Sequence, residues 1–281
     1  MGIDFHSYDN RRSYASRKAD ADWLSAIREL VNPAGLTVVD AGCGGGIYTE
    51  AWAELGARRV IGVDFSEAML AMARENTSHR EEIVYVCADA TQTGLPAESA
   101  DLVFARALVH HLQSPQDFLA EAYRLLVPGG ICLVQNRTME DVSLPGSPDH
   151  LRGYFFEAFP RLLHVEENRR PREKELRTQM EQTGFGQVRT VRLWEVRKTY
   201  AAWEELEADL LSRTGRSLLH ELSDAELREL TAYVKESGRR AADPRAGPLD
   251  SLDGRKRERG RIVKSSVTIP DSTCIPLGYS I

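Results

Sequence analysis

An α/β fold, a doubly wound and mostly parallel sheet with helices on both faces, is predicted by three features of the 281-residue chain. Residues 36–39 are a short run of strand-forming type that ends on Asp40 and enters a turn with glycines at 42, 44, 45 and 46. A helical pattern follows over 48–55, and strand, glycine turn and helix in that order open a nucleotide-binding βαβ unit. A second apolar strand, 59–63, then ends on Asp64, eighteen residues beyond Gly46. That is where a doubly wound fold places a carboxylate for two ribose hydroxyls.

Composition bounds the function classes. Hydrophobic content of 42% and charged content of 28% are ordinary for a soluble globular protein. The formal charge of −6 disfavours a general binder of nucleic-acid backbone, which is usually basic. No run of eighteen apolar residues is present, so no membrane span is expected. The opening Met1–His6 lacks the apolar core of a signal peptide, and the four cysteines (43, 87, 132 and 274) form no C-x-x-C pair. A reducing cytoplasm is therefore expected, with no metal site.

Taken in order, residues 1–31 form an arm. Tyr8 and Tyr14 lie in a polar, aromatic-dotted stretch, and Trp23, Leu24, Ile27, Leu30 and Val31 recur at helical spacing, predicting a helix near 17–31. The arm reads equally as loosely packed surface or as a lid that shields a reactive cation from water. The glycine turn fails the dinucleotide spacing G-x-G-x-x-G, because Ile47 or Thr49 stands where a small residue is required. A phosphate-cradling G-x-x-x-x-G-K-[ST] is also missing. The form that fits is D-x-G-C-G-x-G from Asp40. It resembles the first motif of class I S-adenosylmethionine (SAM)-dependent methyltransferases.

Later stretches carry the same resemblance. Asp64 is followed by Ser66, a helix cap, and by a helix containing Met69. The third strand, 83–87, runs into Ala88-Asp89-Ala90, which resembles the family's adenine motif. The order "LP…S.DLV" over 95–103 and the run "RLLVPGGICLV" over 124–134 look like the family again. The resemblance implies a Rossmann-like, seven-stranded sheet and SAM as cofactor. It implies that Asp40, Gly42, Gly44, Asp64, Phe65, Met69, Asp89 and Ala90 contact the cofactor, with Tyr14 from the lid. It also implies that the backbone at Arg106 and Ala107, just after the fourth strand, holds the cofactor's amino group.

His110 and His111 open the stretch after that strand, at the sheet edge where ligands lie in open α/β folds. Side chains adjacent on a helix point about 100° apart, so the pair is not expected to chelate one metal. Either both are structural, or one is a general base facing the acceptor while the other packs inward and bonds to backbone. Gln135, Asn136 and Arg137, where the fifth strand ends, face the acceptor side in this reading, and Arg137 pairs either with an anionic group of the acceptor or with a surface acid.

From 138 to about 171 the α/β pattern breaks, and Tyr154 and Phe155 sit in an aromatic cluster. This reads as an α-helical cap over the acceptor pocket, with Tyr8 from the arm, or as a satellite core that such a cap requires. Helix 172–183, a strand over 187–199 and helices over 201–237 follow, the last opened by the capping box Ser223 to Glu226. Residues 238–260 read as a flexible loop and 262–269 as a candidate final strand. The expected organisation is an arm at 1–31, a SAM-binding domain at 32–237 and a tail at 238–281.

The Asn/Asp-Pro-Pro-aromatic signature of nucleic-acid amino-methyltransferases is missing after the fourth strand, and so is the paired-glutamate loop of protein arginine methyltransferases. What remains is methyl transfer to an O, N or C nucleophile of a small molecule by a monomer or homodimer. Two rivals stay open: a SAM-binding cyclase or binding module without transfer, and a nicotinamide-dependent oxidoreductase.

Overall fold

The computed structural model describes residues 19–148, 150–195, 200–213, 216–242 and 263–271. Helix α1 (Ala21–Leu30) leads into β1 (Thr37–Ala41), α2 (Ile47–Glu54), β2 (Arg59–Asp64), α3 (Glu67–Asn76) and β3 (Ile83–Cys87). Then come β4 (Ala100–Arg106), α4 (Pro115–Leu125) and β5 (Leu126–Asn136). The five strands run parallel in the order β3-β2-β1-β4-β5. The order reverses between β1 and β4, so the crevice for a ligand opens at their carboxyl ends.

Every residue of β1 is buried, because helices cover both faces of the sheet. On one face Val38, Leu102, Phe104 and Leu133 pack against Trp23, Ile27 and Trp52. On the other Val39, Val103, Ala105 and Val134 meet Phe118, Leu119 and Leu125 of α4. The stretch Pro128-Gly129-Gly130 lies inside β5, where the pairing with β4 shifts register between Ala100 and Leu102. The irregularity absorbs the proline and two glycines without ending the strand.

Beyond β5 the helices α5 (Met139–Val142), α6 (Leu151–Ala158), α7 (Arg161–Arg169) and α8 (Glu173–Thr183) precede β6 (Gln187–Glu195). Helices α9 (Trp203–Leu211) and α10 (Asp224–Ala242) follow, then β7 (Val263–Asp271). Strand β7 pairs antiparallel with both β5 and β6. Helix α10 continues to Ala242, into the stretch expected from 238 onward to be a loop.

A third apolar cluster joins the break after β5 to the segment after β6. Tyr154, Phe155 and Leu162 of α6 and α7 pack on Leu206, Leu210, Leu227, Leu230 and Val234 of α9 and α10. The helical layer is thus built from two pieces of sequence, where the pattern over 138–171 suggested one. Among the described residues no helix is long and apolar enough to cross a membrane.

Candidate functional site

The glycine turn after β1 is held first by backbone. The N–H groups of Gly42 and Cys43 both donate to the Val63 carbonyl, at 2.8 and 3.0 Å. Gly42 has φ +71°, and a Cβ there would stand 2.8 Å from the Leu108 Cδ1. Gly46 has φ +80°, and a Cβ would meet the Tyr85 hydroxyl at 2.5 Å. Both positions need a residue that tolerates left-handed backbone and carries no side chain.

Two carboxylates lock this turn from behind. Asp64 accepts from the Gly44 N–H at 2.9 Å with one oxygen and from the Ser66 N–H at 2.9 Å with the other. Asp40 is buried and accepts from the Thr49 hydroxyl at 2.6 Å. Burial pushes its carboxyl up to about 7; the Thr49 hydrogen bond opposes this, Asp64 adds to it, and Arg106 opposes it more weakly. Asp89, just past β3, is exposed and accepts from both the N–H and the hydroxyl of Thr91 at 2.7 Å. Ala90 beside it is buried. Phe65 is 51% exposed next to Asp64, and Met69 is buried with its Cε close to Gly44.

These groups suit SAM. The turn presents N–H groups with no Cβ in the way, an open aromatic face lies alongside, and carboxylates end two neighbouring strands for a polyhydroxylated, amine-bearing ligand.

At the end of β4, Ala107 is left-handed (φ 53°) although it is not glycine. Its N–H donates to the Gln135 carbonyl at 2.9 Å, which ties the turn to β5. Strain of this kind collects at functional sites. The Arg106 guanidinium lies 4.2 Å from the Tyr48 ring centroid, and Tyr48 stacks edgewise on Trp23 at 4.9 Å.

His110 and His111 belong to a single 3-10 turn, Val109–His111, not to an α-helix. Their rings consequently lie together, centroids 4.1 Å apart and planes tilted by 41°, in place of the divergence expected for a helix. His110 is 8% exposed, and its Nδ1 bonds the Asn136 side-chain Oδ1 at 3.1 Å, not backbone as expected of an inward histidine. Burial, then the charges of Arg170, His111, Arg169 and Arg152, hold its imidazole well below the usual range. His111 is exposed, yet burial of part of its ring and the charges of Arg169 and Arg170 push it down to about 4, against a smaller opposing effect of Glu166.

Those cations form a cluster no sequence pattern announced. Glu166 of α7 is 0% exposed and pairs with Arg152 of α6 at 3.1 Å, with Arg169, and with Arg170. Burial alone would raise its carboxyl, but Arg152, Arg170 and Arg169 outweigh that and hold it down at about 2. Arg170 also donates to Asn136 Oδ1 at 3.4 Å, and Arg169 to the Ser217 hydroxyl at 3.1 Å. The i, i+4 spacing of Glu166 and Arg170 is the only signal in the sequence, and it is the spacing of any exposed helix pair.

Three other candidate residues, Gln135, Tyr154 and Phe155, lie apart from the crevice. Gln135 is buried and accepts from the Trp23 indole N–H at 2.8 Å, on the α1 face of the sheet, because it alternates with Asn136 along β5. Tyr154 and Phe155 are buried in the helical cluster, which gives them a packing role. Arg137 is half-buried beyond the end of β5. Tyr8 and Tyr14 lie outside the described residues. Among the described residues no three His, Cys, Asp or Glu side chains are grouped to hold a metal ion.

Residues 39–134 match the sequence profile of the family described as "Methyltransferase domain". Over 107 residues the chain is 37% identical to a ubiquinone biosynthesis O-methyltransferase of Pseudomonas fluorescens, a match that covers 37% of this chain and 45% of that protein. The chain thus spans less than half the length of the curated relatives it matches. The fold is similar to that of a Haemonchus contortus phosphoethanolamine N-methyltransferase bound to S-adenosylhomocysteine and phosphomonomethylethanolamine. That likeness has a TM-score of 0.57 and 19% identity, covering 95% of this chain and 60% of the other. It is similar also to the 4+2 cyclase SpnF, with TM-score 0.51 and 16% identity, over 89% and 81% of the two chains. At such identities the likeness shows a shared fold and no shared activity.

Proposed function

We propose that this chain, which carries a class I SAM-dependent methyltransferase domain, moves a methyl group from SAM to a nucleophile of a small molecule and releases S-adenosylhomocysteine. The observation that carries the reading is the D-x-G-C-G-x-G turn closed onto Asp64 through the Gly44 N–H at 2.9 Å. In this reading Asp64 takes the ribose hydroxyls, Asp89 and the Ala90 N–H take the adenine, and Phe65 and Met69 flank it. Asp40, Gly42, Gly44 and the backbone at Arg106 and Ala107 surround the methionine end. His110 or His111 removes the acceptor's proton, and Arg137 faces the acceptor.

When bound, SAM supplies the methyl carbon on its sulfonium. The protein's part is to align the nucleophile behind that carbon and to accept a proton where the nucleophile starts protonated. The same reading takes the seven paired strands as one functional sheet, the arm at 1–31 as a lid, and the helices after β5 as the acceptor cap of a 32–237 domain. The name of the Pseudomonas relative puts hydroxyl acceptors first among O, N and C nucleophiles.

Calorimetric titration with S-adenosylhomocysteine, with NADH as control, tests the cofactor; micromolar binding of the first alone is expected. A screen of small hydroxyl, amine and activated-carbon acceptors with labelled SAM then tests transfer. Binding without transfer to any acceptor would leave the cyclase or binding-module reading, and binding of NADH alone would install the oxidoreductase.

A further inference from the structure

The sheet alternation that turns Gln135 inward sends Asn136 to the crevice side, where it meets two partners of unequal chemistry. Arg170 has only donors, and its Nη1 reaches the Asn136 side chain at 3.4 Å. The atom facing it is therefore the amide oxygen, because the amide NH2 would set donor against donor. That same oxygen lies 3.1 Å from His110 Nδ1. An oxygen with no hydrogen of its own fixes the role of Nδ1, which must carry the proton. Nε2 is left with its lone pair.

We infer that Asn136 is a positioning residue that holds His110 as the Nδ1–H tautomer, so that Nε2 is the atom that takes the acceptor's proton during methyl transfer. The inference rests on the methyltransferase reading. In the step, the acceptor's X–H bond breaks toward Nε2 as its X–CH3 bond forms and the carbon–sulfur bond breaks, its electrons neutralising the sulfonium. A ring in the other tautomer presents an N–H at Nε2 and accepts nothing.

The brace extends into the helical layer. Arg170 is buried and bonded through Nε to Glu166, so a carboxylate on α7 orients the guanidinium that orients the amide that orients the imidazole. Such support behind a reacting group is typically required to hold it in one productive geometry. The groups facing His110 are Asn136, His111 and the cations Arg170, Arg169 and Arg152, with Glu166 and Asp141 acting on Arg170. Burial first, and then this surplus of cations, keeps the ring neutral, which a proton acceptor must be before it works.

The two-bond 1H–15N spectrum of the histidine rings reads the tautomer directly, with His110→Gln removing the signals to be assigned. The expected wild-type result at neutral pH is a protonated Nδ1 and an unprotonated Nε2. Asn136→Leu should let the ring exchange tautomers and lower kcat by on the order of 10²-fold, with the S-adenosylhomocysteine affinity kept. Asn136→Asp should retain the Nδ1–H tautomer and most of kcat, and should shift the acid limb of the pH profile upward because a charge now faces the ring. A wild-type ring protonated on Nε2, or Asn136→Leu with wild-type kcat and pH profile, overturns the inference. If S-adenosylhomocysteine binds but no acceptor is methylated, the methyltransferase reading fails, and the tautomer is still decided by the spectrum.

Discussion

On the glycine-turn side of the crevice, Gly42, Cys43, Gly44, Gly46 and Ser66 each donate a backbone N–H, to a nearby carbonyl or to Asp64. On the other side, His110, Asn136, Glu166 and Arg170 come from the turn after β4, the end of β5 and the helical layer, and they meet side chain to side chain. The first side uses groups every residue possesses, so its demands fall on shape: absent Cβ atoms and left-handed φ angles. The second uses charges out of water, which hold only while each keeps its partner. One side should therefore fail in binding and the other in folding or proton transfer.

The sharpest separation comes from Glu166. Glu166→Ala leaves Arg152, Arg169 and Arg170 facing one another with their shared carboxylate gone. Breaking a buried ion pair from one side costs about 3–5 kcal/mol. Urea denaturation should show a loss of that order, while the folded fraction binds S-adenosylhomocysteine as the parent does. A loss below about 1 kcal/mol would mean that water reaches the cluster, and the contrast between the two sides would collapse.

Asp64→Ala attacks the other side and should read out in affinity. Removing one charged acceptor of hydrogen bonds costs about 1–3 kcal/mol, so calorimetry should find S-adenosylhomocysteine binding weaker by roughly ten- to a hundredfold. Stability should fall less than for Glu166→Ala, because two N–H groups lose an acceptor where Glu166→Ala leaves three guanidinium cations without their shared carboxylate. Unchanged affinity would take Asp64 out of the site.

The two sides also differ in how far they can be read from sequence. Asp40, the glycine turn and Asp64 are legible because strand, turn and helix are local and each demands particular residues at fixed spacing. The Ser223–Glu226 capping box is legible for the same reason, and its reciprocal bonds form at 3.3 and 2.8 Å. The His–Asn–Arg–Glu chain is not, since nothing along the sequence ties residue 110 to 136 or 170. Gln135 illustrates the limit within one strand. Its place at the end of β5 was readable, but which of two faces it takes depends on register, and that puts it on Trp23 instead of the acceptor. Tyr154 and Phe155 mislead in another way, because an aromatic cluster looks alike whether it lines a pocket or packs on helices recruited from beyond β6.

The smallest effect is a test of pH. Burial of part of its ring and the Arg169 and Arg170 charges push His111 down to about 4 in the folded protein from an ordinary 6.5. Between those values the unfolded chain binds more protons, so stability falls as pH drops through 6.5 toward 4. His111→Gln cannot titrate and should flatten that fall, by less than about 1 kcal/mol because solvent reaches the ring. Part of the slope should survive in this variant, since His110 is depressed too and more deeply buried; His110→Gln should remove it. Glu166 contributes in a separate window, its stabilisation being lost only as pH falls from 4.5 toward 2. Thermal unfolding from pH 7 to pH 2 of the parent, of His110→Gln and of Glu166→Gln should therefore separate the two contributions by difference, the raised Asp40 carboxyl, which acts the opposite way between about 7 and 3.8, being common to all three. A profile that no histidine substitution moves would show that neither burial nor the arginine charges depress the imidazoles, and that the side-chain chain is electrostatically no different from the backbone-held turn opposite.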